Sequence, residues 1–225
     1  MDVLTNALKE GRGALSEYES KLLLKEYEIP TTREVTVDSL DELEVAFSDI
    51  GFPLVLKASS DEIAHKTEKG LIHIDIRNPD EAKSAFSDIQ SKMETTEKSV
   101  LVQQMVKGQR ELVIGMTRDP QFGPCVMFGL GGIFTEILKD VSFRVAPLEK
   151  RDALEMMNDI KGKKILDAVR GLKPADREKL AEILISVGKI GLDHQEIEEI
   201  DINPIKIKDG QPIAVDALVI LKKAL

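Results

Sequence analysis

Apolar and polar residues follow two different periods along the chain. Apolar residues spaced three to four apart predict helices, whereas strict alternation or a short apolar run predicts strands. In the first 106 residues, segments with the helical period alternate with segments typical of strands. We predict helices at 15–29, 39–50 and 79–93 and strands at 32–37, 53–57, 71–76 and 100–106. This succession is typical of an α/β lobe.

After a joint at residues 107–110, the pattern favours an antiparallel sheet with helices. Strands are predicted at 111–117, 124–128, 133–138 and 141–146, and helices at 151–160, 163–169 and 174–190. A hairpin within 199–216 and a final segment at 216–225 complete the second lobe. The fold class is therefore α/β (α+β), with an N-terminal lobe at 1–106 and a C-terminal lobe at 107–225.

The turn residues of the predicted hairpin determine which residues of its two strands pair. Asp209-Gly210 supplies the two positive-φ residues of a tight primed turn. Lys208 then faces Gln211, and counting back pair by pair places Asn203 opposite Asp216, with side chains roughly 5 Å apart on one face. One carboxylate and one amide oxygen suit Mg²⁺, which takes further oxygen ligands from a nucleotide and water.

Alternation also places acidic neighbours beside this pair. Glu199, Asp201 and Asn203 share one face of the strand. A purely structural interpretation stays open, because Asp and Asn often end strands and an Asn-Pro step is a common strand terminator. Ile205 and Ile207 have the parity of Asn203, which predicts a partly apolar face.

A second group of residues is suited to phosphate chemistry. Lys57 ends an apolar strand, where it can reach a phosphate or simply extend its ammonium into water. The loop Ser59–Gly70 follows, and it contains hydroxyls, a cation and His65. The unprotonated imidazole of His65 can attack phosphorus, although a lone histidine in a loop is more often only solvated.

A glycine-rich turn at 129–132 offers backbone amides to an anion. If Lys139-Asp140 forms the next tight turn, Thr135 faces Arg144 and Glu136 is its diagonal neighbour. An ion pair is the simple interpretation of that arrangement. The functional interpretation places Arg144 at the mouth of the site.

Composition and charge restrict the partners. The chain has 225 residues and a formal net charge of -9, which argues against binding to nucleic acid, whose backbone attracts a positive stripe. Cys125 is the single cysteine and cannot form a disulfide within the chain. No export signal and no membrane-spanning apolar run are recognised, so we expect a cytoplasmic protein.

Several segments, taken in order, resemble one family. They are Leu15-Ser16-Glu17-Tyr18-Glu19, Val55-Leu56-Lys57, the His65-Lys66 loop, Arg110 to Gly115, Phe128 to Glu136, and Asp201-Ile202-Asn203-Pro204 with Asp216. The chain resembles the ATP-grasp subunit of the nucleoside-diphosphate-forming acyl-CoA synthetases, relatives of succinyl-CoA synthetase. The resemblance implies a two-lobed ATP-grasp fold. The length is similar to that of a separate beta subunit without the CoA-binding portion.

The resemblance also implies roles for individual residues. His65 matches a histidine of the acetyl-CoA synthetase branch that relays a phosphoryl group between ATP or ADP and a histidine of a CoA-binding alpha subunit. Asn203 and Asp216 match Mg²⁺ ligands, and Asp201 and Arg144 are candidates for supporting positions. The implied nucleotide-binding residues are Lys57, Ser59, Gln103, Gln104, Met105, Val106 and Glu111.

The implied reaction converts acyl-CoA, ADP and phosphate into acid, CoA and ATP in an α2β2 assembly. Relatives place a carboxylate where this chain has Gln103, and they often have two glycines where it has Lys69-Gly70. The sequence does not decide whether the nucleotide is ATP or GTP or which acyl group is used. It also leaves the path of the His65 loop open. Alternatives are a succinyl- or malyl-CoA ligase subunit, a carboxylate–amine ligase and a nucleotide-sensing module without activity.

Overall fold

A computed structural model describes residues 3–59, 70–94, 98–108, 110–132, 140–168 and 171–222. Its helices, numbered in chain order, are α1 (Val3–Lys9), α2 (Glu17–Glu26), α3 (Leu40–Ile50), α4 (Pro79–Lys92), α5 (Lys150–Asp159) and α6 (Arg177–Asp193), with a 3-10 turn at Lys163–Leu166. Its strands are β1 (Glu34–Val37), β2 (Leu54–Ala58), β3 (Ile72–Ile76), β4 (Val100–Gln104), β5 (Glu111–Asp119), β6 (Gly123–Leu130), β7 (Val141–Val145), β8 (Ile197–Lys208), β9 (Gln211–Ala214) and β10 (Leu218–Leu221).

The chain divides into two compact units. The smaller unit comprises residues 16–18 and 32–106, and the larger unit comprises 1–15, 19–31 and 107–225. This division corrects the prediction that residues 1–106 form one lobe. The physical reason is apolar burial, since Leu4, Leu15 and Leu23 belong to the hydrophobic core of the larger unit.

The smaller unit is built on four antiparallel strands in the order β1-β4-β2-β3. Helices α3 and α4 cover one face, because Leu43 and Phe86 from the helices join Leu56 and Val102 from the strands in one core. Both helices begin at a polar cap. Ser39 and Asn78 each accept a hydrogen bond from the backbone N–H three residues later.

The larger unit contains an antiparallel sheet in the order β10-β8-β5-β6-β7, and β9 pairs with the far end of β8. Alternate residues of the strands, among them Ile114 and Ile200, form one core with Met156 of α5 and Leu184 of α6. The other face carries Asp201, which lies opposite a glycine of β5. The polar residues of the predicted metal hairpin therefore lie on the face away from this core.

Some predicted elements differ in the structure. The seven-residue helix α1 was not predicted, and the predicted helix at 163–169 is a short 3-10 turn. The predicted strand at 133–138 lies outside the described residues, as does Lys139 of the predicted turn. None of the described helices is long and apolar enough to cross a membrane.

Candidate active site

The hairpin at the carboxyl end has the predicted turn and register. Asp209 and Gly210 form the turn with positive φ angles of 54° and 91°, as a primed two-residue turn requires. Lys208 pairs with Gln211 on the first rung of the ladder. The local sequence alone was sufficient here, because the turn type determines how the two strands pair.

The same register leads to the predicted ligand pair. The Val215 N–H donates to the Pro204 carbonyl oxygen at 3.0 Å, just beyond the end of β9. Counting one step further in the same register makes Asn203 and Asp216 the next facing positions. The carboxylate and the amide of the predicted site therefore come from the two arms of one hairpin.

A β-bulge at Asn203–Pro204 separates the polar and apolar parts of β8. The register with β5 shifts by one residue here, so that two residues of β8 lie opposite Val113. The extra residue reverses the alternation, and Ile205 and Ile207 are buried in the same core as Ile202. The structural interpretation in which the Asn-Pro step ends the strand is wrong, because β8 continues to Lys208. The prediction that Ile205 and Ile207 share the face of Asn203 is also wrong.

The polar face of β8 has a strongly negative environment. Burial, and then the negative charges of Glu199 and Asp216, raise the pKa of Asp201 from 3.8 to about 6. A cation bound beside these groups would relieve the repulsion. The described residues contain no cluster of three or more His, Cys, Asp or Glu able to hold a metal. Mg²⁺ is often bound through one or two protein oxygens together with the phosphates of a nucleotide.

The raised pKa of Asp201 predicts a pH-dependent cost to folding. Between about pH 4 and pH 6 the unfolded chain releases this proton before the folded chain does, so stability falls as pH rises through this window. Replacing Asp201 by Asn should remove this loss. We expect the variant to be more stable than the parent above pH 6 by about 1–2 kcal/mol, after an allowance for partial solvent screening.

The measurement is urea unfolding of both chains in EDTA from pH 4 to pH 8. The two stabilities should converge toward pH 4. Glu198→Gln is the matched control, because Glu198 lies in the same strand but is exposed. A constant difference between Asp201→Asn and the parent over the whole range would contradict the prediction.

Lys57 is buried in an ion pair. Its Nζ lies 2.7 Å from Oε1 of Glu17, and the two side chains are 8% and 6% exposed. Both residues belong to the smaller unit. The interpretation of Lys57 as a lysine that extends into water is therefore wrong.

Gln103 lies beside Lys57 in the sheet of the smaller unit. It pairs with Val55 across the β2–β4 ladder, and Lys57 is two residues further along β2, so all three share a face. This is the face away from α3 and α4. Gln103 is 1% exposed, so a nucleotide contact from its side chain would be made in a water-poor environment.

The other predicted nucleotide-binding residues near Gln103 have well-defined backbone bonds. The N–H of Gln104 donates to Arg33 O at 2.8 Å, and the N–H of Met105 donates to Pro53 O at 3.1 Å. Val106 is buried, and Ser59 N–H donates to Ser99 O at 2.9 Å. The Gln104 bond is at the last residue of β4, and the Met105 bond lies one residue beyond the strand.

Glu111 begins β5 and sits under the glycine-rich turn. Its Oε1 is 3.1 Å from Nζ of Lys206, the residue opposite it in β8. The N–H of Gly131 donates to Glu111 O at 2.8 Å, and a Cβ on Gly132 would lie 2.6 Å from Glu111 Oε2. A Cβ on Gly131 would lie 2.8 Å from backbone atoms of Glu111 and Leu112, and Gly132 has a positive φ of 64°, so both positions favour glycine.

The structure corrects the prediction for Arg144. In β7 it pairs with Val126, whose side chain belongs to the core of the larger unit, so Arg144 lies on the helix-covered face. It forms a 2.7 Å ion pair with Asp159 of α5. Arg144 is therefore on the opposite face of the sheet from Asp201, because the two positions have opposite parity along the paired strands.

His65 and its predicted partners in the loop lie outside the described residues, as do Thr135 and Glu136. Gly70, where the description resumes, has a positive φ of 64°. The assignment of His65 as the phosphoryl carrier therefore stays a prediction.

Sequence reasoning did not identify two structural anchors near the site. Arg110 is buried, and its guanidinium donates to the carbonyl oxygens of Ile165 and Asp167 at 3.2 Å each. Asp140 accepts hydrogen bonds from the N–H groups of Lys161 and Gly162, both at 2.7 Å. These contacts join residues far apart in sequence, so no local pattern predicts them.

Comparison with known proteins identifies relatives over the whole chain. The family model for the ATP-grasp domain matches residues 6–221. The beta subunit of acetate–CoA ligase [ADP-forming] I from Pyrococcus furiosus is 48% identical over 226 aligned residues, covering 98% of this chain and 97% of that subunit. Acetate–CoA ligase [ADP-forming] I from Archaeoglobus fulgidus is 39% identical, but this chain spans only 32% of it.

A solved structure of similar shape is that of acetyl-coenzyme A synthetase 1 from Ca. Korarchaeum cryptofilum. It was determined with coenzyme A and Mg-AMPPCP, with its phosphohistidine segment pointing towards the nucleotide-binding site. The TM-score is 0.87 at 40% identity, and the match covers 98% of this chain and 99% of that chain. This chain therefore belongs to the ATP-grasp family, in the branch formed by the beta subunits of ADP-forming acetate–CoA ligases.

Proposed function

We propose that this chain is the nucleotide-binding subunit of an ADP-forming acyl-CoA synthetase of the acetate–CoA ligase type. With a CoA-binding alpha subunit it converts acetyl-CoA, ADP and phosphate into acetate, CoA and ATP, reversibly. The observation that carries the proposal is the end-to-end similarity to the separate Pyrococcus subunit. The match to only 32% of the Archaeoglobus protein supports a partner that supplies the remaining functions. The α2β2 assembly is part of the proposal.

In this proposal the larger unit supplies the metal ligands. Asn203 and Asp216 hold Mg²⁺, which bridges phosphate oxygens and offsets the negative charge that Asp201 experiences in the metal-free chain. Glu111 contacts the nucleotide from the start of β5. The Lys206 ammonium, 3.1 Å away, keeps this carboxylate in place.

The smaller unit supplies the cation and the base contacts. Lys57 binds phosphate oxygens, Gln103 and residues 104–106 contact the base or ribose, and Ser59 lies at the start of the loop that carries His65. His65 takes the phosphoryl group from the partner's histidine and passes it to ADP. Positioning and charge stabilisation account for most of the catalysis of phosphoryl transfer, and a lysine, a metal ion and hydrogen-bond donors are groups that supply both.

The direct test is to purify the chain with the CoA-binding subunit encoded next to it and to supply acetyl-CoA, ADP, phosphate and Mg²⁺. We expect ATP formation by the complex and none by either subunit alone. Succinyl-CoA in place of acetyl-CoA tests the succinyl type of ligase. Mg²⁺-dependent nucleotide binding without turnover of any acyl-CoA would instead favour a nucleotide sensor.

A further inference from the structure

The contact between Lys57 and Glu17 is far more buried than an ordinary surface ion pair. Their side chains are 8% and 6% exposed, whereas those of Lys206 and Glu111 are 24% and 33% exposed. Taking two charges out of water is costly, and a close contact of 2.7 Å only offsets this cost. Because the ion pair adds little net stability, we expect it to have a role other than stabilising the fold.

The positions of the two residues suggest that reason. Lys57 is in β2 of a sheet face that also carries Gln103. Glu17 is the first residue of the ten-residue helix α2, where the partial positive charge of the helix end favours an ionised carboxylate. Glu17 is thus a fixed anion aimed at the ammonium from outside the sheet.

We propose that Glu17 is the positioning residue for Lys57, an inference that rests on the proposed nucleotide-binding role of Lys57. The carboxylate holds the flexible lysine side chain in one orientation when no nucleotide is bound. An ammonium has three donors, so one can stay on Glu17 while another meets a phosphate oxygen. Nucleotide binding then requires no search among lysine rotamers.

The test compares variants of the full chain by calorimetric titration with MgADP, followed by kinetics in the complex with the alpha subunit. Glu17→Gln should raise the Kd and KM for ADP roughly 10- to 100-fold, the range found when a group that orients a ligand is removed. The kcat should change much less, because the saturated site restores the anion beside Lys57. Glu17→Asp keeps the charge, so its Kd for ADP should lie between that of the parent chain and that of Glu17→Gln.

A merely structural role for Glu17 predicts a different result. Glu17→Gln would then lower the melting temperature without changing the Kd for ADP, and this outcome would overturn the proposal. A tighter Kd would also overturn it, because it would mean that Glu17 competes with phosphate for the ammonium. Glu26→Gln is the matched control, since Glu26 lies in the same helix but is exposed.

A double-mutant cycle separates this proposal from the proposed function. Lys57→Met should weaken ADP binding, and adding Glu17→Gln to Lys57→Met should weaken it no further. The double variant has no buried charge at either position, so it remains measurable if Glu17→Gln alone does not fold. If Lys57→Met leaves ADP binding unchanged, the role of Lys57 itself is wrong. If only Lys57→Met has an effect, the role of Glu17 alone is wrong.

Discussion

Replacing His65 by Asn is expected to abolish ATP formation by the reconstituted complex while leaving the affinity for ADP nearly unchanged. The amide of Asn keeps a similar size and can form hydrogen bonds, but it has no ring nitrogen that can form a bond to phosphorus. ATP formation from acetyl-CoA, ADP and phosphate measures the first effect. Calorimetric titration with MgADP measures the second.

The phosphoryl carrier can also be identified directly. Incubation of the complex with γ-labelled ATP should leave acid-labile, base-stable label on this chain, and the His65→Asn chain should carry none. The chain has three histidines, which provides the control. His194 contacts the Tyr27 hydroxyl at 3.0 Å and Glu196 at 3.4 Å, so His194→Asn should retain both label and turnover.

Label found only on the alpha subunit would contradict the relay through His65. In that case a histidine of the partner visits both sites, as in the succinyl type of ligase that the sequence left open. Unchanged turnover in the His65→Asn complex would lead to the same conclusion. Either result would leave the nucleotide-binding role of this chain intact, because that role depends on other residues.

The predictions from sequence succeeded where structure depends on neighbouring residues. The turn at Asp209-Gly210 and the pairing of Lys208 with Gln211 follow from two adjacent positive-φ positions. Helices α3 and α4 follow from their apolar spacing, and the structure adds the caps Ser39 and Asn78. In each of these cases one stretch of chain contains the whole signal.

The predictions failed where a distant strand decides the outcome. The bulge at Asn203–Pro204 is defined by pairing with β5, roughly 90 residues earlier in the chain. The face of Arg144 is defined by its pairing with Val126 and by its ion pair with Asp159. Glu17 is 40 residues from Lys57, and only the folded chain brings them together.

The family resemblance supplied what neither periodicity nor local chemistry contains. Nothing in the pattern around Gln103 or Glu111 indicates a nucleotide, since one is a buried residue of a strand and the other a strand terminus. The order of several weak motifs along the whole chain was specific where each motif alone was not. The structure adds the environment of these residues: Gln103 is buried, and Glu111 forms an ion pair with Lys206.

Removing the carboxylate of Asp216 is expected to have the largest effect among changes to the metal hairpin. Asp216 is the charged member of the pair, so Asp216→Ala removes the main attraction for Mg²⁺ while Asn203 offers only a neutral oxygen. A metal ion supplies several kcal/mol of stabilisation to the developing charge in phosphoryl transfer. Losing about 3–4 kcal/mol corresponds to a roughly 100- to 1000-fold slower formation of ATP.

The dependence on metal concentration makes the test for Asp216 specific. The Asp216→Ala complex should need far more Mg²⁺ for half-maximal ATP formation, and nucleotide binding measured in EDTA should be unchanged. Asn203→Ala should show the same pattern with a smaller loss. Asp209→Asn is the matched control, because Asp209 is an exposed acid in the same hairpin and Asn tolerates its positive φ of 54°. If Asp216→Ala slowed the reaction without shifting the Mg²⁺ requirement, Asp216 would not be a metal ligand.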